Sequence, residues 1–256
     1  VPLSKKRLYV KWGMENFKRH FKREPRGMWL SETAVDEETL EVLIENAIEF
    51  TILSPSQAKK IKNVSTGETL EVSSCGDLNP CEYYIWKSRE FEGKRIKIFF
   101  YNKEVSGRMR QELENAEKYL LRIKNSFTET NKKNQFCLIA SDGENYGHHI
   151  KKGNEYLSAL IKKINSDRHI ALQNLSNLSE LESEVEVEIK SPSSWSCEHG
   201  VGRWREECGC RINPNRKYQK WRKTLKESAD EISEKADEIY LKNSLHILRE
   251  PLKALE

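Results

Sequence analysis

Segments of helical period alternate with short apolar runs of strand length through most of the 256 residues, and this order restricts the chain to an α/β architecture. Leu8, Trp12, Phe17 and Phe21 recur at roughly helical spacing over residues 3–22, and Pro25 ends the pattern. Arg26 to Leu30 reads as a short strand. Asp36 can cap a helix from Glu37 to Asn46 whose inner face is Leu40, Leu43, Ile44 and Ala47. Ile48 to Leu53 is the next strand. Residues 62–93 have no clear period and read as an excursion with a small hairpin near Tyr83 to Trp86. Arg95 to Tyr101 reads as a buried strand, 104–126 as one long helix, and Gln135 to Ala140 as another buried strand. A helix over Gly147 to Asn165, a strand at Arg168 to Leu172, a short helix near Leu175 to Leu181 and a strand at Val185 to Ile189 follow. After a Trp-, Cys- and Gly-containing loop over 191–214, the chain reads as helical from about Asn215 to Leu255. Helix alternating with strand argues for a parallel sheet, in which functional residues lie on loops beyond the C-terminal ends of the strands.

Composition narrows the partners. Hydrophobic residues make up 37% and charged residues 33% of the chain, and the formal net charge is only +4. Such a balance gives no global attraction to nucleic acid or anionic lipid. Lys and Arg do crowd between Arg203 and Lys226 against only Glu206 and Glu207, with Tyr218 and Trp221 among them. That run is read as the solvated face of a helix with Trp221 packing inward, and no nucleic-acid partner is expected. No stretch reaches the roughly 18 apolar residues of a membrane helix, and the N-terminus lacks the apolar core of a signal peptide, so a cytoplasmic chain without a membrane partner is expected. Six cysteines in such a chain do not suggest a disulfide framework, and Cys137, in an apolar run, reads as a small core residue.

Three clusters can carry chemistry. Glu32 and Asp142 each stand just beyond a strand, where a carboxylate pair can do the acid/base and nucleophilic work of glycoside hydrolysis. The same positions suit helix caps or solvated loop acids, and spacing leaves the choice open. Ser141 to His149 packs two acids, two His, a Tyr and two Gly into one loop, with polar groups suited to sugar hydroxyls. Asp142 with His148 or His149 also admits a metal-dependent, deacetylase-like reading. The third cluster runs from Ser194 to Trp204 and ends in Cys208-Gly209-Cys210. Trp195 and Trp204 can stack on sugar faces. Cys197, His199, Cys208 and Cys210 can make a tetrahedral zinc set, although their spacing departs from the common one, and buried thiols are the plainer reading. No metal or cofactor is therefore expected.

Taken together, these segments resemble one family. Gly27-Met28-Trp29-Leu30-Ser31-Glu32-Thr33-Ala34-Val35-Asp36 resembles the nucleophile motif of family-57 glycoside hydrolases, and Ser141-Asp142-Gly143-Glu144-Asn145-Tyr146-Gly147-His148-His149 resembles their acid/base motif. The Ser194 to Trp204 segment, the Cys-Gly-Cys after it, Phe99 to Asn102 and Thr51 to Ala58 resemble one branch of that group. The resemblance implies a partial (β/α)7 barrel over residues 1–190 and a Trp/Cys-rich loop with a helical C-terminal region over 191–256. It implies retaining hydrolysis or glucanotransfer on α-glucans, with Glu32 as nucleophile and Asp142 as proton donor. Trp29, His148 and Trp195 become substrate contacts, to which the stacking reading adds Trp204. The family's His-rich opening motif is not present, which implies that the first barrel strands are missing here and are supplied separately, or that the chain is an inactive carbohydrate-binding remnant. Asn102 stands where the branch tends to carry Asp, removing a charge near the mouth.

Overall fold

The computed structural model describes residues 1–128, 135–178, 183–210, 215 and 218–247, with side chains to residue 242. It divides into two compact units, Val1–Ser196 and Cys197–Glu256.

The first unit is built on a seven-stranded sheet in the order β1-β2-β6-β5-β7-β3-β4, where β1 is Gly27–Met28, β2 Phe50–Leu53, β3 Ala58–Asn63, β4 Thr69–Glu71, β5 Tyr83–Lys87, β6 Arg95–Phe100 and β7 Val185–Ile189. The expected parallel arrangement holds for β1, β2 and β6. Beyond β6 the sheet is mixed. β5 runs antiparallel to β6 and parallel to β7, and β3 is antiparallel to both β7 and β4. The cause lies in the connections, since parallel neighbours need a long crossover. Helix α2 (Glu37–Glu45) supplies one between β1 and β2, whereas β3 and β4 are joined by a short turn.

Strand β6 shows why the sheet sits between two apolar layers. Ile96, Ile98 and Phe100 point to one face and join Leu40, Leu43, Ile48 and Leu53. Phe99 points to the other and meets Phe50, Tyr83 and Phe136, with ring centroids 5.5, 5.5 and 5.3 Å away. This is the two-residue alternation of a strand buried on both faces. Helix α1 (Leu3–Phe21) covers the first layer through Leu3, Val10 and Met14. The residues expected to mark its inner stripe lie elsewhere: Leu8, Trp12 and Phe21 are exposed. The helix carries two apolar stripes, and the core takes the one at the 3, 10, 14 spacing.

A third apolar cluster is helical. Helices α3 (Lys103–Glu112), α4 (Ala116–Asn125) and α5 (Gly153–Ser166) pack through Val105, Met109, Leu113, Tyr119, Ile123, Leu160 and Ile164. The single helix expected over 104–126 is thus two. Asn115 restarts it, its side chain accepting from the Lys118 amide at 3.0 Å. Helix α5 begins later than expected because residues 143–152 form turns, with Gly147 at φ +143°. Gln135 to Ala140 is extended but is not a ladder strand. Its attachments are separate, Phe136 N–H to Cys81 O at 3.2 Å and Asn102 N–H to Leu138 O at 2.8 Å. Arg168 to Leu172 forms no strand. The short helix is α6 (Leu175–Leu178), and the remainder of its expected span lies outside the described residues.

The second unit holds the loop from Cys197 and helix α7 (Trp221–Ile247). The helical expectation for 248–255, and part of that before 221, lies outside the described residues. Trp221 is 52% exposed rather than packed inward. The Arg222 guanidinium lies 5.8 Å from its ring centre, a cation–π contact that covers an indole at the surface. No helix among the described residues is long and apolar enough to cross a membrane.

Candidate active site

Because β1, β2 and β6 are parallel, the segments that follow them emerge at one edge of the sheet: Trp29 to Val35, Ser54 to Gln57, and Tyr101 to Asn102. Strand β1 is only two residues long, and its end is fixed by the buried Thr51 hydroxyl, which donates to Met28 O at 2.8 Å. Gly27 allows the close approach. A Cβ there would lie 2.1 Å from the Phe50 ring.

The chain then turns sharply through Ser31–Thr33, with Glu32 at φ +58° and Thr33 at φ +49°. Two successive non-glycine residues in the left-handed region cost about 1–3 kcal/mol each and persist only where the surroundings over-determine them. Here the surroundings do so. Thr33 is fully buried, and its carbonyl accepts from Gln57 Nε2 at 2.8 Å. Gln57 Oε1 accepts from the Ser54 amide at 2.9 Å and lies 2.7 Å from the Thr33 hydroxyl, while Nε2 also reaches Ser193 Oγ at 3.1 Å. Val35 and Ser193 exchange a pair of backbone hydrogen bonds, both 2.9 Å. Gln57 therefore ties the Glu32 turn to the strap that carries Trp195.

The strap closes on the carboxylate. Trp195 Nε1 donates to Glu32 Oε2 at 2.8 Å, and Ser196 Oγ donates to the same oxygen at 2.6 Å. The Trp195 amide meets Thr33 Oγ1 at 3.1 Å. Trp29 packs edge-on against the Trp195 ring, centroids 5.2 Å apart, and Tyr101 does so at 6.0 Å.

Asp142 follows the extended 135–140 segment and lines a cleft of about 340 Å³ with Tyr101, Lys103, Ser106, Arg110, Ser141, Asn145 and Trp195 among its walls. The Asp142 loop is braced by the buried Asn145, whose Oδ1 accepts from Arg110 Nε at 2.6 Å and whose Nδ2 donates to Ser141 Oγ at 3.0 Å. Asn102 is buried and caps α3, its Oδ1 accepting from the Val105 amide at 3.0 Å. Its structural role is that of a helix cap.

Glu32, Trp29 and Trp195 thus come together, and Trp195 shares the cleft with Asp142. His148 is exposed, 4.9 Å from the His149 ring, and is not among the residues lining the cleft. Trp204 belongs to the second unit. Ser196, Tyr101, Gln57 and Thr33 are site residues that the sequence reading did not single out. All four stood inside segments resembling the family, Thr33 in the Gly27 to Asp36 motif and Ser196, Gln57 and Tyr101 in the branch segments, which was the available signal. Among the described residues the one group of three or more potential metal ligands is Cys197, His199, Cys208 and Cys210. Asp142 and the two loop histidines form no such group, which removes the support for the deacetylase-like reading.

Glu32, on the loop after β1, is thus clamped by an indole, and Asp142 lines a cleft walled by Tyr101 and Trp195. The chain belongs to glycosyl hydrolase family 57, whose model matches residues 3–191. No curated protein matches it significantly. Its fold is similar to that of a 4-α-glucanotransferase from Thermococcus litoralis, with TM-score 0.59 and 16% identity over 76% of this chain and 28% of that one. An exo-type maltose-forming amylase from Pyrococcus sp. ST04 gives 0.57 and 15% over 88% and 40%. A branching enzyme of the family from Thermococcus kodakaraensis gives 0.54 and 16% over 79% and 48%. The chain spans less than half the length of each of these structures.

Proposed function

We propose that the chain carries the carboxylate machinery of a retaining glycoside hydrolase or glucanotransferase acting on α-glucans, with Glu32 as nucleophile and Asp142 as general acid/base. The observation that carries this reading is Trp195, whose indole N–H holds Glu32 and whose ring walls the cleft that contains Asp142. Both side-chain hydrogen bonds to the Glu32 carboxylate fall on Oε2, which leaves Oε1 to attack the anomeric carbon. In the first step Oε1 forms a glycosyl ester as the glycosidic C–O bond breaks, and Asp142 gives its proton to the departing oxygen. In the second, the Asp142 carboxylate takes a proton from water or a sugar hydroxyl as that oxygen displaces Glu32. Charge-assisted hydrogen bonds on Oε2 hold the nucleophile in register and make it a better leaving group in the second step. Trp29 and Trp195 are assigned to sugar stacking, with His148 as a further contact. The two carboxyls are expected to approach to about 5–5.5 Å with substrate bound, the separation of retaining enzymes.

The test is Glu32→Gly in the full-length protein, assayed on maltooligosaccharides. Activity is expected to fall by at least about 10³-fold. Added azide is expected to restore cleavage and to yield a glycosyl azide of inverted configuration. Residual activity within tenfold of the parent would overturn the assignment.

A further inference from the structure

The loop of the second unit converges four ligand atoms without any role in the chemistry proposed above. The donor atoms of Cys197, His199, Cys208 and Cys210 all lie within 4.8 Å of one another. Cys197 Sγ is 3.9 Å from Cys208 Sγ, and Cys210 Sγ is 3.4 Å from His199 Nδ1. A tetrahedral zinc ion with Zn–S of about 2.3 Å and Zn–N of about 2.0 Å sets edges of about 3.8 Å between sulfurs and about 3.5 Å between sulfur and nitrogen. The two distances match those edges, whereas a disulfide requires sulfurs about 2.05 Å apart. We propose that Cys197, His199 through Nδ1, Cys208 and Cys210 bind one structural zinc ion.

The backbone around the ligands is shaped for this. Gly209, between Cys208 and Cys210, lies at φ +86°, and Gly200, after His199, at φ +72°. Gly209 folds the Cys208/Cys210 pair back on itself, so that a spacing of one residue suffices there where two are common, and Gly200 turns the chain directly after His199. A Cβ at Gly202 would sit 3.1 Å from Cys208 Cβ and 3.4 Å from His199 Cβ, so the two arms of the loop press together there. The Arg203 amide points at Cys197 Sγ at 3.4 Å, an N–H···S contact of the kind that stabilises metal-bound thiolate. Gln219 Nε2 and Arg222 Nη1 both donate to the Cys210 carbonyl at 3.2 Å, anchoring the last ligand to the start of α7. Four protein donors with three thiolates close the coordination sphere, which makes the site structural and selects a soft, tetrahedral ion. Cys197 is buried, Cys208 and Cys210 are half-buried, and His199 is exposed.

The experiment is elemental analysis of the full chain purified with a thiol reductant and without chelator. About one zinc per chain is expected. Cys208→Ser and Cys210→Ser are expected to lose it, and Cys75→Ser, outside the loop, to keep it. Cobalt(II) added to chelator-stripped parent is expected to give intense visible ligand-field bands and a near-ultraviolet thiolate-to-cobalt charge-transfer band, weakened in His199→Ala. These readouts do not depend on glycosidase activity. A reduced parent chain that carries no zinc and shows no such cobalt spectrum would overturn the proposal, as would full zinc retention in both loop cysteine variants.

Discussion

Gln57→Met is the most informative single change, because it keeps side-chain length while deleting every polar contact of a buried hub. The parent amide makes four: Ser54 N–H and the Thr33 hydroxyl on Oε1, and Thr33 C=O and Ser193 Oγ on Nε2. Two of these partners have an alternative. The Thr33 hydroxyl can turn to the Glu32 carbonyl, 2.7 Å away, and Ser193 Oγ loses only a donor directed at it. The Ser54 amide and the Thr33 carbonyl are left stranded in residues that are 1% and 0% exposed. An orphaned buried group costs about 1–3 kcal/mol, so the pair costs about 2–6 kcal/mol. That is a large share of the roughly 5–15 kcal/mol that separates folded from unfolded domains. In urea, with a slope of about 2–3 kcal/mol per molar, the midpoint should fall by about 0.7–3 M. A fall under about 0.3 M would refute the idea that Gln57 braces the Glu32 turn, since that corresponds to less than one orphaned group.

Gly27→Ala should destabilise by about 1–3 kcal/mol in the same denaturation assay, because the new Cβ meets the Phe50 ring at 2.1 Å and must push β1 from β2; an unchanged midpoint would show that the ring moves freely. Glu112 carries a pH signature. Its hydrogen bonds to Arg122, at 2.6 and 2.8 Å, hold its carboxyl down to about 2 from 4.5. The stabilisation is therefore full above pH 4.5 and lost as pH falls toward 2, and Glu112→Gln should flatten this part of the stability–pH curve.

Elements with one strong local signal were legible in the sequence. The Asp36 cap, with its side chain accepting from the Thr39 amide at 2.8 Å, and the alternation of Val185–Ile189 both stand where the pattern puts them. Reading failed where tertiary partners choose between equal local options. Helix α1 has two apolar stripes, and only the layer above β6 decides that Val10 rather than Trp12 is inside. Asn115 looks like an ordinary polar residue of a long helix until its side chain caps α4. At the site, the position of Glu32 just beyond β1 was legible because it depends on chain order alone, whereas Asp142 follows an extended segment that is not a ladder strand. Gln57, Thr33 and Ser196 act through contacts spanning 24 to 164 positions, which no window of sequence contains.

Those long-range contacts also explain why the Glu32 turn tolerates left-handed backbone without glycine. A glycine at residue 32 would relax the turn but would remove the carboxylate, and one at residue 33 would remove the hydroxyl that meets the Trp195 amide at 3.1 Å. The strain of about 1–3 kcal/mol per residue is instead offset by a closed set of interactions: Gln57 on the Thr33 carbonyl, the Val35–Ser193 pair, and Trp195 and Ser196 on the carboxylate. Each member depends on the same strap being in place. The geometry of Glu32 is therefore set by the sheet through Gln57 and not by the local preference of the turn, so a fault at the buried amide is expected to reach the carboxylate without touching it.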